Sequence, residues 1–157
     1  SEPLLSALDA AGIGRAFVTL VVGPATFRPW REDADGGGGL ESEWSEIPAA
    51  TLAAIASTRA AGGRIIAVGT TTTRALESAA RRPGGLASGG SWADAFIQPG
   101  FRFAVIDGLI TNFHLPGSTL LMLVAAFAGR ERVLAAYATA VREGYRFYSY
   151  GDAMLLL

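Results

Sequence analysis

The run from Pro48 to Arg82 narrows the fold more than any other part of this chain. Pro48–Ala61 is alanine-rich and amphipathic at helical spacing, and Gly62-Gly63 ends it. Arg64–Gly69 (R-I-I-A-V-G) is short, apolar and β-branched, so it reads as a buried strand. Thr70–Arg82 then opens a second helix. Helix, strand, glycine, helix is the pattern of an α/β protein. A second strand candidate is Arg15–Val22 (R-A-F-V-T-L-V-V), stopped by Gly23-Pro24. The expected architecture is a mostly parallel sheet built on these two strands and flanked by helices.

Polar chemistry gathers at two junctions. In G-T-T-T-T-R-A-L-E-S, four hydroxyls stand at a helix start beside its free N–H groups, a place that binds anions and carboxylates. Arg74 and Glu77 are three apart and share a helix face. Multiple N-caps with a surface ion pair would explain the same residues. The second junction is Thr111–Leu123. Thr111, Asn112 and the only histidine, His114, precede a turn forced by Pro116 and Gly117. Ser118 is placed to cap a helix whose residues Leu120–Phe127 are apolar almost without a break, so burial on most sides is expected. Asn112 and His114 fit a polar site at the mouth of that helix, or a tight turn whose backbone groups they satisfy.

Elsewhere the reading is plainer. Ser1 and Pro3 open a helix that Gly12 ends. Thr26–Trp30 is irregular and aromatic, and Asp33–Gly39 reads as a mobile glycine loop. Glu41–Glu46 carries three carboxylates in six residues, the composition of a solvated loop. Ala93–Gln98 and Phe101–Ile106 read as strands, with Asp107-Gly108 as a hairpin turn into Leu109–Thr111. Arg130–Glu143 is a helix with Val133, Leu134, Tyr137 and Val141 on one face. Tyr145–Asp152 is aromatic and suits an edge strand. Ala153–Leu157 is an apolar end that should insert into a sheet.

Composition excludes several classes. A chain of 157 residues fits one domain. Half of it is hydrophobic, yet no uncharged apolar run approaches the 18 or so residues of a membrane span, and no signal-like segment opens it. Without cysteine there are no disulfides, thiolate metal sites or cysteine nucleophiles, which suits a cytoplasmic protein. The net charge of −1, with arginine as its only basic side chain besides His114, is a poor match for non-specific nucleic-acid binding.

Four blocks, in order, carry a resemblance: G-T-T-T-T-R-A-L-E-S, F-I-Q-P-G-F-R-F, L-I-T-N-F-H-L-P-G-S-T-L-L-M-L-V and Y-R-F-Y-S-Y-G-D-A-M-L-L. Together they resemble the S-adenosylmethionine:tRNA ribosyltransferase-isomerases of queuosine biosynthesis over nearly the whole chain. The third block is the most specific. The resemblance implies transfer of the ribosyl group of S-adenosylmethionine to a 7-aminomethyl-7-deazaguanine base in tRNA. Isomerisation then gives epoxyqueuosine, with adenine and methionine released. S-adenosylmethionine is consumed as a substrate, and no further cofactor and no metal is implied. The family is roughly twice as long, so residues 1–157 correspond to the C-terminal part of its core domain, without its N-terminal part and inserted β-barrel. An N-terminal half chain or self-association is then expected to complete the fold.

For the chemistry that the resemblance implies, we assign His114 to acid/base work, with Asp152 as a second catalytic candidate. Thr70, Thr71 and Arg74 hold the methionine carboxylate. Glu77 orients Arg74 or takes the amino group. Asn112, Tyr150 and Asp152 address ribose or adenine. The sequence departs from the family pattern where Val21 and Glu41 stand for histidines and Ala25 for a glycine. A valine cannot move a proton. That departure supports an alternative: a homologue that binds S-adenosylmethionine or a nucleoside and has lost tRNA modification, or uses a small-molecule acceptor.

Overall fold

The computed structural model describes residues 1–23 and 42–157. Thr26–Trp30, Asp33–Gly39, Ala25 and Glu41 therefore lie outside the described residues. The described chain runs α1 (Glu2–Ala10), β1 (Thr19–Leu20), β2 (Glu43–Ile47), α2 (Ala49–Ala60), β3 (Ile66–Val68), α3 (Thr70–Ala80), β4 (Gly89–Ala93), β5 (Gly108–Asn112), α4 (Thr119–Ala128), α5 (Arg130–Arg142) and β6 (Ala153–Leu156). None of these helices is long and apolar enough to cross a membrane.

The strands form two sheets, ordered β1-β2-β4 and β3-β5-β6. The α/β class holds, but the sheets are less parallel than expected. Only β3 and β5 run parallel; β1–β2, β2–β4 and β5–β6 are antiparallel. The two strands expected to share a sheet, at 15–22 and 64–69, lie in different ones. The apolar end does insert, pairing as β6 along β5.

Helix α3 explains the arrangement. It packs against β1, β2 and β4 on one side and against β3 and β5 on the other. Thr73 through Ala79 are all buried, although the helix is polar in composition. Polar groups in such a place must be hydrogen-bonded, so they become internal cross-links. Ser78 Oγ accepts from Ala95 N at 2.9 Å. Arg74 Nη1 pairs with Glu43 Oε2 at 2.7 Å, and its Nη2 donates to Ala93 O at 2.9 Å. Glu77, 0% exposed, accepts the N–H groups of Ala104, Val105 and Ile106 at 2.8 to 3.1 Å.

Those bonds correct the strand expected at 101–106. The segment has no strand partner among the described residues. Glu77 takes its N–H groups, while Arg59 and Arg81 take the carbonyls of Arg102, Ala104 and Val105. The side chains of two helices thus satisfy a backbone that would otherwise require a ladder. The hairpin expected at Asp107-Gly108 is absent for the same reason. Asp107 Oδ2 instead accepts Ile65 N at 2.8 Å, which brings β5 alongside β3.

Four further expectations change. The carboxylate-rich stretch is not a solvated loop over its described part. Its residues 43–47 form β2, with Glu43, Ser45 and Ile47 inward and Trp44 and Glu46 outward, the period of a strand. Helix α4 buries Thr119, Leu123 and Val124, and its other residues are half-buried. Helix α5 turns Val133, Tyr137 and Ala140 inward, leaving Leu134 and Val141 exposed. The Tyr145–Asp152 segment contains a 3-10 turn at Tyr148–Tyr150, not an edge strand.

One face of the β3-β5-β6 sheet carries Ala67 and Leu109 into the core. Across its other face Val68, Ile110 and Leu155 form a row in register. Val68 is 65% and Leu155 57% exposed.

Candidate functional site

β3 and β5 are adjacent and parallel, so their carboxyl ends lie at one edge of the sheet. In open α/β sheets ligands bind beyond that edge. Gly69 follows β3 and bonds its N to Ile110 O at 2.8 Å, extending the ladder by one residue. Its φ of +90° then turns the chain into α3, a conformation that suits glycine alone. Gly69 is the N-cap and no side chain caps the helix, which places the four threonines in the first turn with its unsatisfied N–H groups. On the neighbouring strand, β5 ends in Thr111 and Asn112 and leads to His114.

The two junctions meet in one pocket of about 340 Å³. Gly69, Thr70 and Thr71 line it from the start of α3; Asn112 and His114 line it from the end of β5. Val22, Leu120, Tyr148 and Ser149 complete the lining. One side therefore offers hydroxyls, an amide, an imidazole and a helix N-terminus, and the other offers apolar and aromatic surface. The volume falls in the range of small-molecule sites.

His114 is 5% exposed. Its Nε2 lies 2.9 Å from Thr111 Oγ1, and its backbone N donates to the Tyr137 hydroxyl at 2.8 Å. Burial disfavours the imidazolium and lowers the pKa to about 4. At neutral pH the ring is uncharged, a hydrogen-bonding group and not a cation.

Arg74, Glu77, Asp152 and Tyr150 lie outside the pocket lining. Arg74 and Glu77 do not line the pocket; they are the buried cross-links of α3, and burial pulls the guanidinium below its usual range while Glu43 opposes the shift. They share a helix, but each answers to a different part of the fold. Asp152 is tied to Arg146, accepting its N at 2.7 Å and its guanidinium at 3.3 Å, and these bonds hold the carboxyl below its usual range. Tyr150 is 95% exposed and outside the pocket lining. Asn112 lines the pocket and also donates from Nδ2 to Tyr148 O at 3.0 Å. Val21, one of the departures, is exposed and donates its N to Trp44 O at 2.8 Å.

The sequence reading missed Tyr148, Ser149 and Leu120 as lining residues, and Tyr137 and Thr111 as partners of His114. Only Thr111 and Leu120 lie in the polar-then-apolar stretch that draws notice locally. The others reach the site through tertiary packing.

Comparison with known proteins agrees over the whole chain. The family model for queuosine biosynthesis proteins matches residues 1–156. The chain is 59% identical over 155 residues to the S-adenosylmethionine:tRNA ribosyltransferase-isomerase of Dechloromonas aromatica (strain RCB), covering 99% of this chain and 44% of that protein. It is 55% identical over 157 residues to the protein of the same name from Pelotomaculum thermopropionicum, covering 100% and 46%. The crystal structure of S-adenosylmethionine tRNA ribosyltransferase from Thermotoga maritima superposes with a TM-score of 0.81 at 43% identity, covering 100% of this chain and 50% of that one. The chain spans a little under half the length of the curated relatives it matches. It belongs to the queuosine biosynthesis protein family.

Proposed function

We propose that this chain forms the donor-binding part of a cytoplasmic S-adenosylmethionine-dependent tRNA ribosyltransferase-isomerase. It would contribute to moving the ribosyl group of S-adenosylmethionine onto a 7-aminomethyl-7-deazaguanine base and isomerising it to the epoxyqueuosine product. The observation that carries the reading is the single pocket shared by the start of α3 and the end of β5. The α3 N-terminus with Thr70 and Thr71 suits a carboxylate such as that of methionine, through N–H groups and the helix dipole. The donor-side chemistry needs a group that accepts a proton next to the sulfonium, and neutral His114 stands in that pocket. Arg74 and Glu77 would act by holding α3 in place and not by touching the ligand.

The remaining half of the fold would cover the open Val68–Ile110–Leu155 face. Its apolar character, together with relatives about twice as long, supports a partner segment there. The acceptor tRNA would be engaged mainly by surfaces that this near-neutral chain shares with that segment.

The test is to incubate the chain, alone and together with the remaining half of a relative's protein, with S-adenosylmethionine and tRNA bearing the deazaguanine base. Adenine and methionine release in the reconstituted mixture is the expected result. Release that needs no tRNA would favour the small-molecule acceptor. No release by a folded, reconstituted protein would contradict the reading.

A further inference from the structure

Tyr148 has a φ of +71°, and it is the one non-glycine residue with positive φ among the described residues. In that region a Cβ crowds the neighbouring carbonyl, so a tyrosine stays there only when its surroundings hold it. Three hydrogen bonds do so. Tyr148 N donates to Phe113 O at 2.9 Å, and Tyr148 O accepts Asn112 Nδ2 at 3.0 Å and Gly151 N at 3.1 Å. The loop carrying it is closed by Asp152, whose Oδ2 accepts Arg146 N at 2.7 Å and whose N donates to Arg146 O at 2.8 Å. A Cβ on Gly151 would lie 2.5 Å from that same carbonyl, so the loop closes tightly only with glycine there.

Core packing does not account for the strain. Tyr145 packs edge-on and Phe147 at a tilt against Phe113, with centroids 5.9 and 5.0 Å away. Tyr148 takes no part in that cluster among the described residues, and lines the pocket instead, partly exposed. Strain held in place where packing does not require it points to a functional role. Of the pocket's described lining residues, Tyr148 alone carries an extended aromatic ring besides the His114 imidazole.

We propose that Tyr148 is the aromatic shelf of the pocket, on which a planar purine-type ring stacks, and that Asn112 and Asp152 are positioning residues that hold it there. This rests on reading the pocket as the site of S-adenosylmethionine chemistry. Two rings share the required shape: the adenine of the donor and the deazaguanine of the acceptor.

The test uses the chain reconstituted with the remaining half of its fold, with S-adenosylmethionine and free 7-aminomethyl-7-deazaguanine as separate probes in calorimetric titrations. Tyr148→Phe should keep affinity within about twofold for the ring that stacks. Tyr148→Gly should weaken it about 5- to 100-fold, the usual worth of base–aromatic stacking, while its melting temperature stays level or rises because glycine is unstrained at this φ. Asn112→Ala should weaken the same probe, and adding Tyr148→Gly should cost little more, since the two act through one shelf. The probe that responds identifies the ring. Equal affinity of Tyr148→Gly and the unsubstituted protein for both probes overturns the proposal and leaves the pocket reading standing. So does a lowered melting temperature for Tyr148→Gly, which would make the ring a packing element. Binding of neither probe by the unsubstituted protein overturns the proposal together with the pocket reading.

Discussion

Arg74 Nη1 stands 2.7 Å from Glu43 Oε2, and both side chains are almost entirely buried. Thirty-one residues separate them, so the pair fastens α3 to the antiparallel sheet. Removing one partner takes this ion pair away from a buried charge. Glu43→Ala should therefore cost about 3–5 kcal/mol. The double variant Glu43→Leu with Arg74→Met should cost less than the sum of the two single changes. Urea unfolding of Glu43→Leu, Arg74→Met and the double variant measures this, and additive losses would contradict it.

Glu77 is the second fastening. Its carboxylate gathers the N–H groups of residues 104–106, which pair with no strand among the described residues. Glu77→Ala should cost about 2–4 kcal/mol, the penalty of unmade buried bonds added together. Amide hydrogen exchange should speed up at Ala104, Val105 and Ile106 before it does in β5. Unchanged protection at those three amides would show that the segment is held by something else.

These two residues also mark how far the sequence could be read. The strand at 66–68 and the helix after it were legible, because a β-branched run, a glycine and a hydroxyl-rich helix start leave few alternatives. The meeting of Thr71 and His114 was legible too, since both follow strands that a parallel pairing brings side by side. The partners of Arg74 and Glu77 were not. A spacing of three makes them neighbours on an isolated helix, but α3 is buried on all sides and each finds its partner across the fold. Phe101–Ile106 misled in the opposite direction. Its apolar, aromatic composition is that of a strand, yet distant side chains satisfy its backbone. Glu43 lay in a carboxylate-rich stretch whose local composition is that of solvent, and only the alternation of Trp44, Ser45 and Ile47 hinted at a half-buried strand.

His114 makes stability depend on pH. Its folded pKa, about 4, lies below the ordinary 6.5, so the unfolded chain binds the proton more readily. The stabilisation is complete above about pH 6.5 and declines as pH falls toward 4, reaching a loss of about 2–3 kcal/mol. A His114→Gln variant should lack this component. Subtracting its unfolding free energy from that of the unsubstituted protein, pH by pH, isolates the histidine. A difference that stays flat from pH 7 to pH 4 would contradict the buried, neutral ring.

The open face of the β3-β5-β6 sheet should govern association. Val68→Lys and Leu155→Lys place charges in the exposed apolar row. In the isolated chain they should reduce self-association in sedimentation experiments, because large apolar patches seek cover. In mixtures with the remaining half of a relative's protein they should weaken assembly about tenfold or more. Unimpaired assembly would place the contact elsewhere.

His114 is the only histidine of this chain, so isotope labelling of this chain alone keeps its imidazole as one set of proton and nitrogen resonances in the reconstituted protein. The most direct test of a ligand pocket joining α3 to β5 is to follow those resonances while titrating S-adenosylmethionine into the reconstituted protein. The expected result is a saturable shift that disappears in Thr71→Tyr, where a bulky ring fills the other wall of the pocket. Imidazole resonances that stay fixed while S-adenosylmethionine binds or turns over would contradict it.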